Sequence, residues 1–371
     1  VKLKTPGVVL AMAAVGALAL SACGSDPNSG GAAGGGEAAG PPVDCSGKAN
    51  LTGEGSSAQK NAIDVFIQAY QQKCPGKNLA YTPSGSGAGV KQFTAGLSDF
   101  GGSDSALKAD NGEVDAANKR CQGNPAWNLP LVFGPVAIAY NVKGVENLTL
   151  SGETAAKIFD GSITKWNDPA IAAQNTGAQL PDLPISVIYR SDESGTTDNF
   201  QQYLQAASKG AWTKGAGKKF VGGVGSGANQ SAGVSQAVSS TDGTISYVEL
   251  SYAQDNKLGM AKLDNGAGPV ALNNDTVGKA ISSAKITGEG NDLRLDLKSV
   301  YGAATPGAYP LILATYELVC SKGYTPDVAS SVKSFLTTAA TSGQAQLSEA
   351  GYAPLPEEFK QKLLTAINAI S

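Results

Sequence analysis

An apolar strand, a turn of small hydrogen-bond donors and a helix follow one another between Ile185 and Leu204, and a chain that repeats this unit is confined to layered α/β folds. Here the strand-like run Ile185 to Tyr189 leads through Arg190-Ser191-Asp192-Glu193-Ser194-Gly195-Thr196-Thr197 into a helix-like run with Phe200, Tyr203 and Leu204. The construction recurs at Ala49 to Thr52, where Gly53-Glu54-Gly55-Ser56-Ser57 precedes a helix with Ile63, Phe66, Ile67 and Tyr70 on one face. It recurs again at Leu79 to Tyr81, where Ser84-Gly85-Ser86-Gly87-Ala88-Gly89 precedes a helix predicted to set Val90, Phe93 and Leu97 on one face. A related element, Asp99-Phe100-Gly101-Gly102-Ser103-Asp104, ends a short strand in glycines, a hydroxyl and a carboxylate.

Each junction offers the unpaired N–H groups and partial positive charge of a helix N-terminus, which suit an anion. Glycine lets the backbone come close to a ligand, and serine or threonine adds a hydroxyl donor beside it. Arg190 adds a planar, permanently charged fork matched to phosphate or carboxylate oxygens, and Asp192 is placed to hold that fork. Taken singly, any of these is equally a capped turn with a surface arginine. Together they point to a small oxyanion gripped by dipoles from several parts of the chain.

Composition narrows the chemistry. The chain contains no histidine, which excludes Ser-His-Asp and Cys-His catalysis and any histidine-ligated metal. Ser57-Ala58-Gln59-Lys60 and Ser105-Ala106-Leu107-Lys108 match Ser-x-x-Lys, but no Lys-Thr-Gly or Ser-Asp-Asn partner follows. Gly223-Val224-Gly225-Ser226-Gly227-Ala228 fits a loose dinucleotide pattern, without the later acidic residue, and reads as a turn before a helix at Ser231 to Ser239. The formal charge is −3, and near −5 without Lys2 and Lys4, so the overall field repels anions and no basic patch favours nucleic acid.

The N-terminus reads as a secretion signal. Lys2 and Lys4 precede an apolar run from Val8 to Leu20, and Leu20-Ser21-Ala22-Cys23 has the form of a bacterial lipobox with Cys23 as the lipidated residue. This sets a signal peptide at 1–22 and a flexible Gly/Ala/Pro tether at 23–43. Cys45, Cys74, Cys121 and Cys320 remain, an even set that outside the cell is expected to form disulfides in one of three connectivities. Cys45 precedes the first strand and Cys74 ends the helix running back beside it, which favours that pair and leaves Cys121 to Cys320; four buried thiols are the alternative.

Beyond the tether, strand-like and helix-like segments alternate, with long extended runs at Leu129 to Asn141 and Tyr309 to Tyr316 and terminal helices near Val328 to Thr341 and Glu357 to Ile370. At this point the chain resembles the substrate-binding lipoprotein of the bacterial phosphate ABC transporter, the PstS-type phosphate-binding protein, and most of all its actinobacterial members. The residues that carry the resemblance are Leu51-Thr52-Gly53-Glu54-Gly55-Ser56-Ser57, Gly85-Ser86-Gly87-Ala88-Gly89-Val90-Lys91-Gln92, Asp99 to Asp104, Leu131 to Ala137, Ile163 to Pro169, Tyr189 to Thr197 and Ile245-Ser246-Tyr247-Val248-Glu249.

The resemblance implies a two-lobed periplasmic-binding-protein fold of type II, with the ligand in the interlobe cleft and a two-segment hinge near Ala139 and Leu313. Lobe I would comprise 44–138 and 312–371, and lobe II 139–311. It implies a phosphate site in which Ser57 and Ser86 give hydroxyls, Ala58 a backbone N–H and Asp104 a carboxylate that accepts a phosphate proton. Arg190, Ser194, Gly195 and Thr196 would form the opposing clamp, with Asp192 behind Arg190. The first loop departs from the family pattern, carrying Ser57-Ala58 where Thr and a bulky residue are usual. The expected protein is a monomer without cofactor or metal. It would sit on the outer face of the cell membrane through Cys23 and deliver inorganic phosphate to the permease subunits. The competing expectations are a secreted phosphatase on the same scaffold and a binder of another oxyanion, such as sulfate, molybdate or phosphonate.

Overall fold

Residues 42–371 are described by the computed structural model, so the expected signal peptide, Cys23 and the tether up to residue 41 lie outside the described residues. The order is β1 (Asn50–Gly55), α1 (Lys60–Lys73), β2 (Asn78–Thr82), α2 (Ser86–Thr94), β3 (Phe100–Ser103), α3 (Glu113–Arg120) and β4 (Ala126–Asn141). It continues through β5 (Thr149–Ser151), α4 (Gly152–Phe159), α5 (Pro169–Ala172), β6 (Ser186–Arg190), α6 (Gly195–Ala207), β7 (Ser226–Ala228), α7 (Gln230–Ser240), β8 (Thr244–Glu249) and α8 (Leu250–Asp255). Then come β9 (Gly259–Met260), β10 (Lys262–Asp264), α9 (Asn274–Ser283), β11 (Lys285–Ile286), β12 (Leu295–Asp296) and α10 (Lys298–Tyr301). The chain closes with β13 (Ile312–Cys320), α11 (Pro326–Ala340) and α12 (Glu357–Asn368).

The main sheet runs β2-β1-β3-β13-β4-β8-β6-β7, with β9 beside β4. β1 is parallel to β2 and β3, and β6 is parallel to β7 and β8, whereas β13 and β4 are antiparallel to their neighbours. β4 is the shared element. Its first half pairs with β13 and its second with β8, and the change of partner falls between Pro135 and Val136. Both long strands are buried almost throughout, which is why they read as continuous apolar runs and not as alternating ones.

Apolar periodicity explains the helices that cover this sheet. α1 buries Ala62, Ile63, Phe66 and Tyr70 along one face, and Tyr70 packs edge-on against Phe335 of α11, which in turn stacks on Phe100 of β3. On the other side Phe200 of α6 stacks on Tyr247 of β8 at 4.3 Å and meets Phe159 of α4 at 4.6 Å. Such a fully buried ring stabilises the fold by roughly 1.5–3 kcal/mol, and Phe200→Ala would cost about 3–5 kcal/mol. One expectation fails here. Leu97 does not join Val90 and Phe93 in the core but is 72% exposed, because Gly96 at φ +72° ends α2 before that turn is reached.

Disulfides join Cys45 to Cys74 and Cys121 to Cys320. The first ties the segment before β1 to the end of α1, and the second ties the end of α3 to the end of β13. Among the described residues no helix is long and apolar enough to cross a membrane.

Candidate functional site

The β6–α6 junction places one side of the site. Val187 and the aromatic stack beneath α6 anchor the strand, and Arg190 is its last residue, buried at 3% exposure. Asp192, two residues on, takes Arg190 Nε at 2.8 Å and Nη2 at 2.5 Å, while Nη1 donates to Ser231 Oγ at 3.1 Å. Burial opposes the charge on this guanidinium, but the bonds and charge of Asp192, with Glu249 nearby, outweigh it and raise the Arg190 pKa. Asp192 feels the same pair in reverse: burial raises its carboxyl, and Arg190 holds it below the usual range. Ser194 then caps α6 by accepting the Thr197 N–H at 3.2 Å. The N–H groups of Gly195 and Thr196 have no acceptor among the described residues, so the helix presents them outward.

The loops after β1, β2 and β3 supply the other side. Asp104, just past β3, is 3% exposed and collects hydroxyls: Ser56 donates to Oδ1 at 2.6 Å, Thr315 to Oδ1 at 2.7 Å and Ser86 to Oδ2 at 3.0 Å. The Asp104 N–H donates back to Ser86 Oγ at 3.1 Å. Burial pushes the Asp104 carboxyl up, and the three hydroxyls and Arg190 only partly offset it. Ser57 Oγ lies 2.9 Å from Ser231 Oγ and accepts the Ser231 N–H at 3.1 Å. The Ala58 N–H donates to Ser56 Oγ at 3.0 Å.

The two sides meet. Gly87 N–H donates to the Glu193 carbonyl at 2.9 Å, and Asn199 Nδ2 to the Asp104 carbonyl at 2.6 Å. Gly195 fits against the opposite wall only because it lacks a side chain, since a Cβ there would stand 2.6 Å from Ser86 Oγ and from Asp104 Cβ. The structure therefore brings Ser86, Asp104, Arg190, Asp192, Ser194, Gly195 and Thr196 to one buried locus. Ser57 and Ala58 stand at its edge, their polar groups engaged with Ser231 and Ser56.

Several members of this locus escaped the sequence. Thr315 comes from β13, and nothing in its surroundings marks it, because a strand's pattern does not say which loop it will face. Ser231 and Glu249 had weak signals, the first as the start of an expected helix and the second within the Ile245-Ser246-Tyr247-Val248-Glu249 motif. Glu249 Oε1 lies 2.5 Å from the Thr196 hydroxyl. The Ser-x-x-Lys matches resolve as structure: Lys60 pairs with Asp64, and Ser105 and Lys108 both donate to Asp198 of α6, at 2.7 and 2.8 Å. Among the described residues no group of three or more Cys, Asp or Glu side chains is arranged to share a metal ion.

Chemically, the locus combines a cation and a helix N-terminus on one side with a buried carboxylate on the other. Two positive features attract an anion, and the carboxylate demands a proton between itself and that anion.

The profile of the PBP superfamily domain matches residues 29–341. Phosphate-binding protein PstS 3 of Mycobacterium tuberculosis is 53% identical over 373 residues, covering 100% of both chains. Phosphate-binding protein PstS 2 of the same organism is 50% identical over 372 residues, again covering 100% of both. Among solved structures, the periplasmic phosphate-binding protein PfluDING, bound with phosphate, superposes with a TM-score of 0.67 at 23% identity, covering 85% of this chain and 93% of that one.

Proposed function

This chain belongs to the PstS phosphate-binding proteins of the PBP superfamily, and on that premise we propose that it captures inorganic phosphate outside the cytoplasm and hands it to an ABC-type import permease. Its fold is the two-lobed type II periplasmic-binding-protein fold. In this reading phosphate lies between the Asp104 wall and the α6 N-terminus. Arg190 and the N–H groups of Gly195 and Thr196 face its oxygens, with the hydroxyls of Ser57, Ser86 and Ser194 around it. Lobe I is 44–138 with 312–371, lobe II is 139–311, and the hinge runs through β4 near Ala139 and β13 near Leu313. Cys23, outside the described residues, is the lipid anchor, and the tether lets a monomeric domain reach the permease.

One observation carries the reading: Asp104 is a buried carboxylate facing a positive helix end, with Oδ1 already taken by two hydroxyls and Oδ2 by one. Oδ2 keeps a lone pair for a ligand proton. At neutral pH phosphate retains at least one proton and can fill that position, whereas sulfate carries none and would set its oxygens against the carboxylate. Selectivity then arises from repulsion of the wrong anion. An unpaired buried polar group costs about 1–3 kcal/mol and a charge more, so the discrimination is at least about fivefold.

The test is calorimetric titration of phosphate-stripped protein. Phosphate is expected to bind one-to-one with micromolar or tighter affinity, with sulfate far weaker, and Asp104→Asn to weaken phosphate while admitting sulfate. Equal binding of both anions to the parent protein, or unchanged discrimination in Asp104→Asn, would remove the basis for this assignment.

A further inference from the structure

Glu249 ends β8 directly beneath the anion locus and has no part in the ligand set proposed above. Its side chain is buried, with the residue 1% exposed. Oε1 lies 2.5 Å from Thr196 Oγ1, and Oε2 has no hydrogen-bond partner among the described residues. The nearest cation does not reach it. Arg190 spends Nε and Nη2 on Asp192 and Nη1 on Ser231. One guanidinium thus serves a neighbourhood that already holds Asp192 and Asp104 and that must also accept an anion.

The hydrogen bond between Thr196 and Glu249 can run in either direction, and the direction decides what Thr196 offers the ligand. If Glu249 is ionised, it takes the Thr196 hydroxyl proton, and Thr196 Oγ1 turns only lone pairs toward the bound anion. If Glu249 is neutral, it donates to Thr196 Oγ1, and the hydroxyl proton is free to point at a phosphate oxygen. An ionised, half-partnered carboxylate in a closed site beside a bound anion is strongly disfavoured. On these grounds, and resting on the phosphate reading above, we propose that Glu249 is a positioning residue that keeps its proton in the liganded site and donates it to Thr196, turning that hydroxyl into a phosphate donor.

The groups around Glu249 agree. Burial pushes its carboxyl up, and the like charge of Asp104 pushes the same way, against Arg190 and the hydroxyls of Thr196 and Ser231. Tyr252 of α8 and Tyr352 feel the Glu249 charge, and burial holds both phenols neutral. The cation that faces it is Arg190 from β6, and the carboxylate is Asp104 from lobe I. Phosphate binding would therefore depend on a proton stored in the protein as well as on the one carried by the ligand.

The experiment is isothermal titration of the full chain with inorganic phosphate from pH 5.5 to 8.5, in buffer pairs of different ionisation enthalpy. It compares the parent protein with Glu249→Gln and Glu249→Ala, each first shown folded by circular dichroism. Glu249→Ala is expected to weaken phosphate binding at pH 7 by tenfold or more. Glu249→Gln, whose amide donates as the neutral acid does, is expected to restore most of that loss. Its affinity should also fall less than the parent's at the alkaline end, with less proton uptake on binding. If Glu249→Gln binds as poorly as Glu249→Ala, or if its pH profile and proton uptake match the parent's, Glu249 does not act as a stored proton. Should Glu249→Ala fail to fold, the pH profile and proton uptake of Glu249→Gln still decide. Absence of phosphate binding by the parent protein would instead remove the phosphate reading itself.

Discussion

Glu317→Gln is expected to stabilise the protein at neutral pH and to leave it nearly unchanged in acid. Glu317 sits in the middle of β13, fully buried, with neither carboxylate oxygen hydrogen-bonded. Its register partner on β3 is Gly102, where a side chain would meet Gln59 Nε2 and Tyr81 Oη at 2.5 Å. Burial, with Asp104 adding to it and Gln59 opposing, raises its pKa from 4.5 to about 8. The folded protein therefore holds one proton more than the unfolded chain between those two values. Stability present below the lower value is lost as pH rises through the window, at about 1.4 kcal/mol per pH unit, and the loss levels off above the upper one. At pH 7 this amounts to about 3 kcal/mol, and at pH 5 to under about 1 kcal/mol. Glutamine cannot ionise in either state, so its advantage should follow the same curve. Urea unfolding of both proteins at pH 5 and pH 7, without phosphate, measures it directly. An advantage equal at the two pH values, or a parent protein that is the more stable at pH 7, would show that Glu317 is ionised in the fold and that the reasoning is wrong.

Arg190→Ala removes the cation of the site and strands Asp192, which at about 2–5 kcal/mol for breaking a buried charge pair predicts roughly thirtyfold to several-thousandfold weaker phosphate binding by calorimetry. Arg190→Lys should recover only part, because a point charge cannot make the forked bonds to both Asp192 oxygens and still reach Ser231. Gly195→Ala should leave the fold intact but hold the lobes apart, since its Cβ would stand 2.6 Å from Ser86 Oγ and Asp104 Cβ; weaker binding and a larger radius of gyration in phosphate by X-ray scattering are the expected result. Cys23→Ala should release the protein from cells with its phosphate affinity unchanged, as fractionation and titration of the released protein would show.

Much of the site was legible because its chemistry is local. Arg190 and Asp192 lie two residues apart, Ser194 heads the helix it caps, and the glycine-rich turn into α2 and Gly195 at the head of α6 announce backbone that must pass close to something. Apolar periodicity likewise marked α1 and the two long strands. Leu97 was misread because a helical period continues on paper past Gly96, whereas the left-handed glycine ends the helix. Thr315 could not be found, because its role comes from a pairing of β13 with β3 and β4 that no local pattern encodes. Ser56 and Ser57 show the finer limit. Two adjacent serines point to different walls, one to Asp104 and the other to Ser231, and the bend after β1 decides which does which.

β3 and β4 are consecutive strands, yet the sheet does not let them touch, because β13 lies between them. The gap that β13 fills opens early in synthesis and closes only when residues near the end of the chain arrive, and the bond between Cys121 and Cys320, 199 residues apart, waits for the same event. Non-local closure of this kind is slow, and until it happens two strand edges are left as templates for pairing with other chains. A nascent chain stopped before Ile312 would carry all of the Arg190 clamp and none of the strand that steadies Asp104 through Thr315. Steadying Asp104 and covering the β3 and β4 edges therefore fall to the same strand.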